Sequence, residues 1–266
     1  VTDPRAVAYA LVYEHRLLRL GETFKSRGLA PVLVKGQAVA DLVYPHDEPR
    51  VAADVDLLVA ADEAAVASAL RGLGYREQEH PDRSRSLLRF MGERSFFTRA
   101  PDLPPLVELH HFLDKVVARK VDYPAILARS GASGRPGFRY PTLEDLVLLV
   151  ALHAALSVTN DPKMERDIHL LTTRGKPDLA VLSARARAWR LALAVERLDI
   201  LPPDLSTKAS VRLRRRLCEN ALTAHLPPTM RYLVEQLGWH DRAMTWALGL
   251  ARYVVARVED RLRPQR

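Results

Sequence analysis

The residues best suited to chemistry lie in the segment Arg50-Val51-Ala52-Ala53-Asp54-Val55-Asp56-Leu57-Leu58-Val59. Side chains alternate across a strand, so Asp54 and Asp56 project from one face, with Cα atoms about 6–7 Å apart. Two carboxylates on one face repel each other, and either a raised pKa or a divalent cation must offset that. Hard oxygen ligands favour Mg²⁺ over zinc. A strand end facing solvent would also tolerate the pair.

Three further features bear on that choice. Val34-Lys35-Gly36-Gln37 stands at a strand-to-helix junction. There a glycine lets backbone approach an anion, and the first N–H groups of the helix can receive phosphate. Lys35 adds a point charge for phosphate oxygens, or snorkels from a strand end. In Pro105-Leu106-Val107-Glu108-Leu109-His110-His111, alternation puts Glu108 and His110 on one face and His111 on the other. A carboxylate in an apolar strand needs a partner, which a metal shared with Asp54 and Asp56 would provide. His110 reads as a ligand, a phosphate contact or a satisfied core histidine. A zinc site of Glu108, His110 and His111 is disfavoured because adjacent strand residues point apart. Arg50 is placed to pair with the aspartates, to bind phosphate, or to sit on the surface.

These groups must be held by a sheet. Helical periodicity over residues 5–27 is followed by a buried strand at 31–35, a helix from Gly36 to Tyr44, and a strand at 54–59. Asp62 is expected to cap the next helix. Strands are expected at 75–79, 86–90, 94–99 and 106–111. Residues 131–137, rich in glycine, read as a linker. Beyond it nearly everything has helical period: 142–158, opened by Thr142 and Asp145 in a near capping box, then 161–173, 177–198, 205–224, 227–237 and 240–262. The expected fold is α+β, with residues 1–140 as a sheet domain and 141–266 as an all-helical domain. On the helix at 161–173, Lys163 and Asp167 are four apart and face the same way, as a phosphate contact with its orienter or as an exposed ion pair. His153 and the tryptophans 189, 239 and 246 read as packing.

Composition excludes more than it selects. The 266 residues carry 40 Lys+Arg against 32 Asp+Glu, a net +8, which permits a polyanionic partner but is equally met by solvated helix faces. The single Cys218 excludes an internal disulfide and a cysteine zinc site, and points to a reducing, cytoplasmic setting. The longest apolar stretch, 146–158, is too short to span a bilayer.

In order and spacing, Lys35-Gly36, Arg50…Asp54-Val55-Asp56-Leu57-Leu58-Val59, Gly74-Tyr75 and Val107-Glu108-Leu109-His110 resemble the bacterial uncharacterised nucleotidyltransferase family of the DNA polymerase β-like superfamily. A fainter match continues at Arg166-Asp167-Ile168-His169-Leu170-Leu171. The resemblance implies a polymerase β-like nucleotidyltransferase domain in which Asp54, Asp56 and Glu108 hold Mg²⁺, two ions in all. Gly36 and its surroundings would hold the triphosphate of ATP or another nucleoside triphosphate. The superfamily's usual Gly-Ser turn reads Lys35-Gly36-Gln37 here, so Lys35 or Gln37 would replace the serine.

The expected reaction moves a nucleoside monophosphate onto a small-molecule, peptide or protein acceptor, with release of pyrophosphate. Asp54, Asp56 and Glu108 are the catalytic candidates, and Glu108 is also placed as general base. Lys35, Gly36, Gln37, Arg50 and Lys163 are the nucleotide contacts, and His110 and Asp167 the accessory candidates. The alternatives are transfer to RNA such as a tRNA end, motivated by Arg212, Arg214, Arg215 and Arg216, and a silent nucleotide-binding module. Nucleic acid is the weaker partner, because those arginines share a helix with Leu213 and Leu217.

Overall fold

The computed structural model of the chain describes residues 4–45, 48–50, 52–79, 92–114, 119–156, 162–201, 241 and 243–262. The first helix, α1 (Pro4–Ser26), buries Tyr13, Leu17, Leu20 and Phe24 along one face, while Leu11 and Leu18 are exposed. After it come β1 (Val32–Val34), α2 (Lys35–Val43), β2 (Val55–Leu58), α3 (Glu63–Gly72), β3 (Arg76–Glu77), β4 (Glu93–Phe97) and β5 (Leu106–His110). Then follow α4 (Tyr123–Arg129), β6 (Gly131–Ala132) and β7 (Arg139–Tyr140). The remaining elements are helical: α5 (Leu143–Leu156), α6 (Pro162–Thr173), α7 (Leu179–Trp189), α8 (Ala192–Arg197) and α9 (Ala243–Leu262).

Among the described residues the strands form one mixed sheet in the order β3-β4-β5-β2-β1-β7-β6. The short β2 is central and buried at every position. It runs parallel to β5, with Asp56 opposite Glu108, and antiparallel to β1, with Val34 opposite Asp56. That register alone brings Lys35, Asp56 and Glu108 to one end of three adjacent strands. The α5 helix is apolar nearly all round, and every residue from Leu146 to Leu152 is buried. It packs against α2, α6, α7 and α8.

Several expectations change. The stretch at 131–137 is no loose linker. Residues 131–132 and 139–140 pair as an antiparallel hairpin, and β7 joins β1 in parallel. Gly137, at φ 73°, lies so close to Gly21 that a Cβ there would stand 1.9 Å from the Gly21 carbonyl oxygen. The helix expected over 177–198 breaks at Arg190, whose left-handed backbone (φ 62°) caps α7 before α8 restarts. Helix α4 went unread; the Asp122 carboxylate caps it by accepting the Ala125 N–H. Asp62 does not cap α3, since its carboxylate accepts the Ala60 N–H instead. Thr142 does accept the Asp145 N–H (3.3 Å), but the Asp145 carboxylate turns inward to Arg129 and Arg185 rather than completing a capping box. The expected strand at 86–90 and helices at 205–224 and 227–237 lie outside the described residues, as do Arg212, Arg214, Arg215, Arg216 and Trp239. No helix among the described residues is long and apolar enough to cross a membrane.

Candidate active site

A cavity of about 340 Å³ opens where β1, β2 and β5 end beneath α5 and α6. Asp54, Asp56 and Glu108 line it together with Lys35, Gly36 and Arg50. The expected catalytic carboxylates and most of the expected nucleotide contacts therefore share one space. His110 and Asp167 line it as well.

Asp56 is the most enclosed of the three catalytic candidates, 4% exposed. Such burial is costly for an unpaired anion, and two partners meet it. The Lys35 ammonium donates to Asp56 Oδ1 at 2.7 Å, and His110 Nε2 stands 2.7 Å from the same oxygen. Burial pushes the Asp56 pKa up, but the charges and hydrogen bonds of Lys35 and His110 outweigh it and hold the carboxyl below its ordinary value. Burial works the other way on Lys35, and the charge of Asp56 overcomes it, leaving the Lys35 pKa raised. Burial also depresses His110, as does Lys35; hydrogen bonds to Asp56 and Glu108 outweigh both, and its pKa is raised. The hydrogen bond from His110 lowers Glu108. Asp54 differs: its burial and the charges of Asp56 and Glu108 raise its pKa. Its main chain is fixed by the Tyr13 hydroxyl, which donates to the Asp54 carbonyl at 2.7 Å.

The cationic side of the cavity is built around the start of α2. No side chain caps that N-terminus among the described residues, so its N–H groups are suited to an anion. Lys35 takes a left-handed backbone (φ 52°), which costs a non-glycine residue about 1–2 kcal/mol and is characteristic of functional turns. Gly36 has a specific reason to lack a side chain: a Cβ there would fall 2.4 Å from Arg50 Nη1. The Arg50 guanidinium thus lies against the opening turn of α2. Its Nε is anchored on Asp167 (2.8 and 3.1 Å), which also accepts from the Tyr44 hydroxyl at 2.8 Å.

Two expected contacts are not at the cavity. Gln37 is buried and donates to Asp41, bordering a neighbouring cavity of about 750 Å³. It follows Gly36 in a helix, and the turn carries its side chain away from the site. Lys163 is exposed and does not line the cavity, because the inward positions of α6 are taken by Met164 and the buried Asp167. Asp167 therefore orients Arg50 rather than Lys163. His153, read as packing, is exposed on α5 and borders the cavity; Trp189 is buried as expected. His111 meets Glu63 at 3.1 Å, on the other face from Glu108.

Sequence reading missed Glu93 and Tyr44. Glu93 lines the cavity because β4 places it opposite His110. Its only local sign was an acidic residue opening a strand. Tyr44, next to the helix-ending Pro45, showed no sign of a partner 123 residues away. One ligand atom from each of Asp56, Glu108 and His110 lies within 4.8 Å of the others. Asp54 is outside that tight group but shares its cavity.

A model of a family described as uncharacterised nucleotidyltransferase matches residues 5–201. No curated protein matches the chain. Among solved structures, the crystal structure of the Megavirus polyadenylate synthase aligns at 11% identity with a TM-score of 0.41, over 84% of this chain and 48% of that one. The chain thus spans about half the length of that structure.

Proposed function

The chain belongs to the uncharacterised nucleotidyltransferase family, and from that premise we propose that its cavity transfers a nucleoside monophosphate from a nucleoside triphosphate to a small-molecule, peptide or protein acceptor. One observation carries the reading. An uncapped helix N-terminus with Lys35 and Arg50 faces three carboxylates, Asp54, Asp56 and Glu108, across a single cavity. Its volume, about 340 Å³, is in the range of small-ligand sites.

Each group has a part. The α2 N-terminus and Arg50 bind the triphosphate oxygens, with Arg50 held in place by Asp167 and Tyr44. Lys35, now paired with Asp56, is within reach of the same anion. Asp54, Asp56 and Glu108 form an oxygen donor set that fits divalent cations. Burial, and after it the charges of Asp56 and Glu108, raise the Asp54 pKa, an imbalance such a cation relieves. When bound, the cations stabilise charge on the attacking and leaving oxygens. The acceptor oxygen bonds to the α-phosphorus as its proton passes to Glu108 and the bond from that phosphorus to the bridging oxygen breaks, and pyrophosphate departs. Glu108 thus has two parts, holding a cation and receiving that proton. Helices α5 and α6 form the far wall, through Val150 and His153 of α5 and Met164 of α6, and so face the acceptor.

The test is incubation with each α-labelled triphosphate, Mg²⁺ or Mn²⁺, and panels of small molecules, peptides and RNA. The reading expects a nucleotide-monophosphate mass on a non-nucleic-acid acceptor, absent with Asp56→Asn. Label on RNA would move the acceptor class to nucleic acid. Equal transfer by Asp56→Asn would remove the assignment of this cavity.

A further inference from the structure

We infer that His110 is itself a metal ligand, so that Asp56, Glu108 and His110 form a mixed carboxylate–imidazole site selecting a first-row transition dication such as Mn²⁺ over Mg²⁺. The inference rests on the metal-dependent reading of the cavity and departs from an all-oxygen site. His110 is 1% exposed, on the strand that also carries Glu108 two residues earlier. Its Nε2 points into the carboxylates, 2.7 Å from Asp56 Oδ1 and 3.5 Å from Glu108 Oε2. With ligand atoms of all three residues inside 4.8 Å of one another, one cation can be shared without moving a strand, provided that it displaces the Lys35 ammonium, 2.7 Å from Asp56 Oδ1 and 3.5 Å from His110 Nε2, and that Nε2 gives up its proton.

The other imidazole nitrogen supports the assignment. Nδ1 faces Glu93 Oε2 at 3.8 Å across the β4–β5 pair. A ligating imidazole is usually oriented by a hydrogen bond from its other nitrogen to a carboxylate; at 3.8 Å Glu93 is an ion-pair neighbour that a small side-chain movement would bring to that role. Imidazole also changes which ion suits the site: Mg²⁺ prefers oxygen and water, whereas nitrogen donors favour transition metals. A histidine that merely tied two carboxylates together would leave the ion preference to the oxygens.

The full chain, stripped of metal and titrated with Mn²⁺ alone, separates these accounts. Pulsed electron paramagnetic resonance should show ¹⁴N coupling from a directly bound imidazole. The coupling should vanish in His110→Gln and persist in His153→Gln, which alters the other histidine bordering the cavity. Calorimetry should give Mn²⁺ at least about tenfold tighter than Mg²⁺, a ratio that collapses towards unity in His110→Gln. Mn²⁺ bound without nitrogen coupling would overturn the inference and leave the carboxylate site standing. Failure of the wild-type chain to bind Mn²⁺ at all would overturn both. The wild-type spectrum decides the matter even if His110→Gln does not fold.

Discussion

Asp56 and Asp145 are both buried carboxylates that each meet two cationic side chains, yet their surroundings differ in kind. Asp145, fully enclosed, accepts from Arg129 Nε (3.1 Å) and Nη2 (3.0 Å), and from Arg185 Nη1 at 2.9 Å. Those bonds tie α4, α5 and α7 together, and Asp145 borders neither the 340 Å³ nor the 750 Å³ cavity. Asp56 is held by one lysine and one histidine at the edge of a cavity, with two further carboxylates beside it. Forked guanidinium pairs are rigid and specific. An ammonium on a flexible stem gives up its partner more readily, as a carboxylate needs when it must accept a ligand. Enclosure between two arginines away from both cavities fits Asp145 for a structural part, and exchangeable cations at a cavity fit Asp56 for the cation-holding part proposed for it.

The largest effects should come from exchanging the two roles. Asp145→Ala deprives Arg129 of its carboxylate and leaves Arg185 only Thr142 and Glu144 among the described residues, and should cost about 3 kcal/mol of stability by denaturant unfolding, while turnover per folded molecule survives. Asp56→Asn should do the reverse: turnover falls by at least about 100-fold, the upper end of what removing even a ligand's hydrogen-bond partner costs. Loss of turnover in folded Asp145→Ala would erase the distinction.

Glycines sharpen the same contrast. In Gly36→Ala the new methyl pushes on the Arg50 guanidinium, a side chain anchored on Asp167 rather than backbone, so stability should fall by only about 1 kcal/mol. Nucleotide affinity should nevertheless fall about tenfold to a hundredfold, the worth of a charge-assisted hydrogen bond. Gly137→Ala meets the Gly21 backbone at a positive φ and should destabilise the chain while leaving the affinity of the folded fraction alone. Calorimetry of nucleotide binding beside thermal melts distinguishes them.

A smaller effect concerns Asp54. Its folded pKa lies above the unfolded value of 3.8, chiefly through burial and then through Asp56 and Glu108. The folded state therefore holds that proton more tightly. Stability from this group is favourable at low pH and is lost as pH rises from 3.8 through the raised value. Asp54→Asn should then stabilise the metal-free protein at neutral pH by about 0.5–2 kcal/mol, as removal of a strained active-site charge does, with little gain below pH 3.8. A mutant less stable than wild type at neutral pH would show that the carboxylate is not strained.

Local patterns made the centre of the site legible. Alternation put Asp54 and Asp56 on a strand, a glycine after Lys35 marked the turn into α2, and Glu108 with His110 occupied one face of another strand. All of these now border one cavity. What stayed hidden depends on register and helix crossing. The Arg50–Asp167 pair spans 117 residues, and Glu93 reaches His110 only because β4 pairs with β5 at that offset. Gln37 and Lys163 show the converse failure: a residue type suited to phosphate, one helical step off the needed face. Asp145 was misread for the same reason, since a capping-box spacing fits its position but two arginines from other helices claim its carboxylate.

Equilibrium binding of a triphosphate analogue blocked at the α–β bridge, with and without divalent cation, tests the central claim most directly. The account predicts binding that strengthens at least about tenfold with the cation, and a cation effect lost in Asp56→Asn while the mutant melts as a folded protein. Nucleotide binding that ignores both the cation and Asp56 would contradict it.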